Sequence, residues 1–409
     1  MRTRLFGTFI KFFLIFMQDS GKNMADKFTF IDKELETRQC LGRRRSLRTT
    51  VPAEGAAVQL GDRCMINFCS NDYLGLARHP LLKQRACEYV AQFGTGSTAS
   101  RLICGNQSFF EPVEERLAAL KGKEAALIFN SGFQANVSII PALADCNSLI
   151  FSDRLNHNSL IQGIRLARCR IEIFDHNDPD HLRKLLKKRL GGRFSRIFIV
   201  TESIFSMDGD RCPLDEMVAI AQASGAILVV DEAHATGVVG PNGMGLTNGR
   251  DVDVVIGTFS KACGSFGAYV ACSRKMRDYL INCCAGLIYS TALPPSVLGA
   301  VSAALDVIPG MDQARRRLHA HADDLRASLD RLGWDCGRST TQIIPVMVGR
   351  EADAMALSGW LAENHIFASA IRPPTVEENK SRIRLTVTAS HRNEDIQHLI
   401  EAFEGWKRL

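Results

Sequence analysis

The chain has 409 residues, 46% of them hydrophobic, and a formal net charge of +6; that length can bury a large core and suggests two domains. The charge is too mild and dispersed to imply a nucleic-acid partner. Its 13 cysteines are scattered without a CxxC, so neither a disulfide framework nor a zinc set can be written, and a reducing cytoplasm fits best.

In chain order, the opening "MRTRLFGTFIKFFLIFMQDSGKNM" is basic and then apolar. Lys11 interrupts the apolar run, which is too short to span a bilayer, and no small-residue cleavage site follows. Residues 1–23 are therefore expected to be a disordered extension or a mis-assigned start ahead of Met24, and no other stretch could be a membrane span. An N-terminal segment, 24–70, carries one tight basic cluster, "GRRRSLR" (42–48), which reads as a solvated helix end or a seat for a small anion.

From residue 71 to 308, short β-rich apolar runs alternate with charged helical patterns, predicting a large α/β domain with a mainly parallel sheet. The clear runs are "AALIFN" (125–130), "SLIFSD" (148–153), "RIFIVTES" (196–203), "AILVVDEAH" (226–234) and "DVVIGTFSK" (253–261). Each ends in polar or small residues, and ligands of such sheets sit beyond the carboxyl ends of the strands. "VIPGMD" (307–312) then punctuates the chain before a smaller C-terminal α/β domain, 309–409.

The strand ends collect the chemistry. After the first, "FNSGFQAN" opens a helix at Ser131-Gly132, whose free N–H groups make a phosphate seat, a weak signal alone. "DRLNHNS" puts His157 in a polar loop, where a lone histidine is more often a surface residue. In "VVDEAHATG", Asp231 tips a buried strand and needs either a cationic ligand nitrogen or a helix N-terminus to cap; His234 follows three residues on. Lys261, in "GTFSKACGSFGAYVACS" (257–273), stands alone among small residues, as an outward lysine or as a partly buried nucleophile. A phosphate seat, an aspartate for a ring nitrogen, a histidine able to stack and a lysine for an aldehyde together describe pyridoxal 5′-phosphate (PLP). No GxxxxGK[ST], GxSxG, HExxH or strand-following GxGxxG competes with that reading, and no metal is expected.

From about Arg43 onward the chain resembles the α-oxoamine synthases, fold-type-I PLP-dependent transferases of the aspartate aminotransferase-like fold. The resemblance rests on "NFCSNDYLGLARHP" (67–80), "SRLICGNQ" (100–107), "TESIFSMDGD" (201–210), "DEAHATG" (231–237) and "TFSKACGSFG" (258–267). It implies that Lys261 carries the cofactor as a Schiff base, Asp231 pairs with its ring nitrogen, and His234 and Ser206 lie by its phenolic oxygen. It implies that His157 stacks on the ring and that Gly132, Phe133 and Thr258 hold the phosphate, with Thr375 reaching in from a second subunit of a homodimer. Arg384, and with it Asn71 and Arg43, would bind substrate carboxylates.

"YSTALPPS" (289–296) and "IRPPTVEENKSRIRLTVTASH" (371–391) favour the member of the family that joins L-alanine to a pimeloyl thioester of coenzyme A or acyl-carrier protein. Its rivals are glycine-using members of the family and a PLP aminotransferase. Two departures stand out. "GTGSTASR" (94–101) has Thr98 and Ala99 where relatives place glycines, and Cys263 beside the lysine is expected to be oxidation-sensitive.

Overall fold

The computed structural model describes residues 26–189 and 191–407. The expected extension, 1–23, lies outside them. The chain divides into two compact units, Met1–Arg48 and Thr49–Leu409, so the expected segment 24–70 is shared between them. The first unit contains a helix, Thr29–Cys40, with no buried residue. Among the described residues no helix is long and apolar enough to cross a membrane.

Among its described residues the second unit has the strands β1 (Thr50–Pro52), β2 (Ala57–Leu60), β3 (Arg63–Asn67), β4 (Ala125–Phe129), β5 (Leu149–Asp153), β6 (Arg170–Phe174), β7 (Ile197–Glu202), β8 (Ile227–Asp231), β9 (Val254–Thr258), β10 (Ala268–Cys272), β11 (Ile343–Gly349), β12 (Ile366–Phe367), β13 (Ser369–Ile371) and β14 (Ser381–Thr386). Seven of them form the central sheet in the order β4-β10-β9-β8-β7-β5-β6. The β5–β6, β5–β7, β7–β8 and β8–β9 pairs are parallel, and β10 runs antiparallel to both β4 and β9. The fold is the mainly parallel α/β architecture expected from the alternating runs.

These strands are apolar without alternation because both faces of the sheet are covered. Side chains still alternate between faces with period two. Ala126, Ile128, Leu228, Val230, Val255 and Tyr269 enter one core cluster, whereas Leu127, Phe129, Val229, Val254, Ile256 and Val270 enter the other. A helix, Gly132–Leu143, packs over the second face. The carboxyl ends of β4, β5, β7, β8 and β9 lie at one edge of the sheet, where Asn130, Asp153, Glu202, Asp231 and Thr258 emerge.

Two smaller sheets complete the unit, β1-β2-β3-β12 and β11-β14-β13. A third core cluster joins Phe68 to Leu325, Leu329, Ile344, Leu357, Ile383, Leu385 and Phe403. This cluster is where the expected small C-terminal domain would find its core. For the site, its contribution is β14, which carries two buried arginines, Arg382 and Arg384, on one face.

Candidate active site

At the tip of β4 the chain turns into the helix Gly132–Leu143. Ser131 caps it by accepting from the Gln134 amide at 3.2 Å. The amides of Gly132 and Phe133 belong to the first turn, which has no intrahelical partners, and the positive end of the helix dipole lies there. Gly132 abuts the Thr258 side chain at the tip of β9: a Cβ built on the glycine would lie 3.9 Å from the Thr258 Cβ. Thr258 Oγ1 in turn lies 2.7 Å from Ser260 Oγ. Backbone amides and hydroxyls thus converge on one small cradle suited to a phosphate.

The tips of β7 and β8 place two acids in register, Glu202 opposite Asp231. Asp231 accepts from Asn136 Nδ2 at 2.8 Å and, turning toward its own loop, from the Ala233 amide at 2.8 Å. Asn136 also reaches Ser159 Oγ at 2.9 Å, and Ser159 Oγ lies 2.7 Å from His157 Nδ1. A hydrogen-bonded chain therefore runs from His157 to Asp231. His157 caps the helix Asn158–Leu166 with its side chain and donates its amide to Glu202 Oε1 at 2.5 Å. Burial, and then the neighbouring Asp231 charge, hold the Glu202 carboxyl well above the usual carboxylate range. His157 is exposed as a residue. Loss of solvent about its nitrogens nonetheless lowers its pKa, with Asp231 opposing and Lys261 adding to the shift.

Lys261 follows β9 and is half-buried. Its Nζ lies 2.9 Å from His234 Nε2. Burial brings the amine down to about 8, against the pull of Asp231 and Glu202. Burial, and then the cations Lys261 and Arg384, keep His234 well below its ordinary pKa, so the ring is neutral. His234 Nδ1 lies 2.5 Å from the hydroxyl of fully buried Tyr73, which donates to Asn71 Oδ1 at 3.2 Å. Asn71 Oδ1 also accepts from both terminal nitrogens of Arg384, each at 3.3 Å. Arg384 donates further to the Ser206 carbonyl at 2.6 Å and to Thr386 Oγ1 at 2.9 Å. All these acceptors are neutral, and among the described residues no carboxylate pairs with this buried guanidinium. A buried cation without a counter-charge is poised for an anionic ligand.

Two buried ionic clusters brace the site. Lys121 pairs with Glu232, the residue after Asp231, with both side chains fully buried; the Thr247 amide and hydroxyl complete the carboxylate at 2.8 and 2.7 Å. His176 bridges Asp153 Oδ1 at 2.9 Å and Asp210 Oδ2 at 2.7 Å, tying the tip of β5 to the loop that carries Ser206. Burial would lower the His176 pKa, but its bonds to the two aspartates raise it to about 10.

Of the residues anticipated from the sequence, Lys261, His234, Asn71, Arg384 and Ser206 join one network. His157 and Asp231 join another, and Gly132, Phe133 and Thr258 form the cradle. Thr375 lies on an exposed turn, its amide donating to the Arg372 carbonyl at 3.1 Å, and Arg43 belongs to the first unit. One expectation fails on physical grounds. Cys263 is fully buried and burial pushes its thiol up to about 12, which leaves almost no thiolate to oxidise.

The sequence reading missed Tyr73, Asn136 and Glu202. Glu202 had a legible signal, because "IFIVTE" ends a buried run in an acid just as "ILVVD" does. The set fits PLP: an anion cradle, a buried carboxylate, an amine of lowered basicity, and the buried Asn136 Oδ1, which among the described residues has no partner beside that carboxylate.

Residues 63–403 match the family described as Aminotransferase class I and II. A relative from Desulfosudis oleivorans, named provisionally as an 8-amino-7-oxononanoate synthase, is 56% identical over 93% of this chain and 99% of its own length. A serine palmitoyltransferase from S. paucimobilis, solved with a bound PLP–myriocin aldimine, is similar with TM-score 0.85 and 27% identity, over 95% of this chain and 99% of that one. An 8-amino-7-oxononanoate synthase from Francisella tularensis is similar with TM-score 0.73 and 27% identity, over 84% and 98%.

Proposed function

This chain belongs to the class I and II aminotransferase family, in its α-oxoamine synthase branch, and we propose on that premise that it joins L-alanine to a pimeloyl thioester to give 8-amino-7-oxononanoate, carbon dioxide and free thiol. It is a PLP-dependent acyltransferase. The observation that carries the substrate reading is the pairing, in one hydrogen-bonded network, of the Lys261 amine with the uncompensated Arg384 guanidinium. An α-amino acid presents the two matching groups, an amine and a carboxylate.

In this reading PLP, when bound, supplies an electron sink for the negative charge that develops at the amino-acid α-carbon. Lys261 would hold the cofactor covalently between turnovers. Asp231 would pair with the ring nitrogen, with Asn136 fixing its carboxylate. His157 would stack on the ring, His234 and Ser206 would face its phenolic oxygen, and the Gly132 and Phe133 amides with Thr258 would hold the phosphate.

Arg384, assisted by Asn71, binds the substrate carboxylate. Lys261, with a pKa near neutrality, takes the α-proton and later returns one. The α-carbon then bonds to the acyl carbon as the thiol leaves, and carbon dioxide departs before the proton is returned. We further propose a cytoplasmic homodimer in which Thr375 completes the partner's phosphate seat.

The test incubates purified holoprotein with alanine or glycine and with pimeloyl or acetyl thioesters of coenzyme A and acyl-carrier protein, following product by mass spectrometry. Alanine with a pimeloyl thioester is expected to be preferred at least tenfold. Preference for glycine with a short acyl thioester would move the chain to another member of the branch, and amino-group exchange with keto acids but no thiol release would make it an aminotransferase.

A further inference from the structure

Three side chains, Asn71, Tyr73 and His234, link the carboxylate receptor to the reactive amine, and their hydrogen-bonding polarity can be worked out from one end. Arginine has donors and no acceptor, so Arg384 can meet only an oxygen of Asn71, which fixes that amide with Oδ1 toward the guanidinium. Asn71 Oδ1 is an acceptor only, and therefore takes the hydroxyl hydrogen of Tyr73. Tyr73 then offers His234 a lone pair, 2.5 Å from Nδ1. Neutral imidazole has a single N–H, and the lone pair draws it to Nδ1. The bare Nε2 faces the Lys261 amine at 2.9 Å as an acceptor. Tyr73 is fully buried, the Ala389 amide holds its backbone carbonyl at 2.7 Å, and the Arg384 and Gln342 side chains also face its hydroxyl.

We propose that Tyr73 is a positioning residue that sets the tautomer of His234, and thereby the hydrogen-bonding partner that Lys261 meets, from the orientation imposed by Arg384 and Asn71. The fold fixes the direction of the whole chain before any ligand arrives, which is how supporting residues commonly orient a reactive group. Tyr73 has no direct role in holding the substrate, so its loss should act on turnover rather than on amino-acid binding. The proposal rests on the functional reading only in taking Lys261 as the reacting amine.

Cofactor-free protein labelled with 15N-histidine reads the tautomer directly. The His234 signal is assigned by its disappearance in His234→Gln. The native chain is expected to show the Nδ1–H form in large excess, and Tyr73→Phe and Asn71→Ala should each shift most of the population to Nε2–H. With cofactor and the preferred substrate pair, Tyr73→Phe should lower kcat about tenfold and leave the amino-acid KM within threefold. A native ring already in the Nε2–H form, or a Tyr73→Phe protein with an unchanged tautomer, would overturn the proposal. So would a Tyr73→Phe defect confined to KM. Failure of the substrate assignment would leave the tautomer measurement untouched, so the two readings can fail separately.

Discussion

At the scale of single residues, the fold makes Lys261 an unusual lysine and Arg384 an unusual arginine. The amine is lowered to about 8 by burial, so much of it is unprotonated near pH 8 while surface lysines stay charged. Added PLP trapped with borohydride should therefore label position 261 with a pH midpoint near 8, and peptide mass spectrometry would read it; labelling spread evenly over the lysines would contradict the assignment. Arg384→Ala should raise the amino-acid KM by about 10- to 100-fold, the range for a charge-assisted hydrogen bond worth roughly 1.5–3 kcal/mol. Thr98 is a different case, a β-branched residue held at φ +59°. Thr98→Gly should stabilise the protein by about 1 kcal/mol in chemical denaturation.

Lys261, His157, Asp231 and His234 were legible because each lies just past an apolar run. Tyr73 and Asn136 were not, because a tyrosine or an asparagine inside a motif looks like any packed or capping side chain until its neighbours are known.

At the scale of elements, the sheet edge is held together by ionic ties between strand tips and loops. His176 clamps the tip of β5 to the loop at Asp210, with its ring edge-on to Phe205 at 4.4 Å. An unfolded histidine titrates near 6.5, whereas this one holds its proton to about 10. Its stabilising contribution is therefore complete below pH 6.5 and fades as pH rises through 10. His176→Gln should cost about 3 kcal/mol in the lower range, the order seen when one partner of a buried pair is removed. The gap between variant and native denaturation midpoints should shrink above pH 10; a gap that does not change with pH would mean the ring acts only by packing. The strands themselves could be read from sequence because apolar runs of strand length are simple to see. These ties could not, since His176, Asp153 and Asp210 are far apart in the chain and meet only once the sheet has formed.

At the scale of the whole molecule, the surface beside the phosphate cradle is conspicuously apolar. Phe133 is 52% exposed, Ile103 79%, Phe266 51% and Tyr289 84%. The segments bearing two of them are stitched together by a Ser100–Thr291 bridge, and Asn130 Nδ2 reaches Ser290 Oγ and the Thr291 carbonyl, each at 2.9 Å. Patches of this kind mark association surfaces, which supports the proposed homodimer. In size-exclusion chromatography with light scattering the protein should have twice the mass of one chain, and dilution into monomers should release the cofactor; a fully active monomer would end the shared-site reading.

Gly264, three residues beyond the reactive lysine, adopts φ +62°, and a Cβ there would sit 2.3 Å from the Ala77 amide nitrogen and 2.4 Å from the Leu76 carbonyl carbon. Asp72 accepts from that Ala77 amide at 3.0 Å and from the Leu76 amide at 2.8 Å. The lysine loop and the loop bearing Tyr73 thus meet backbone to backbone, with no side chain to yield between them. In a randomised library of this loop, survivors should retain glycine at 264, because a single methyl group there would wedge the two halves of the catalytic apparatus apart.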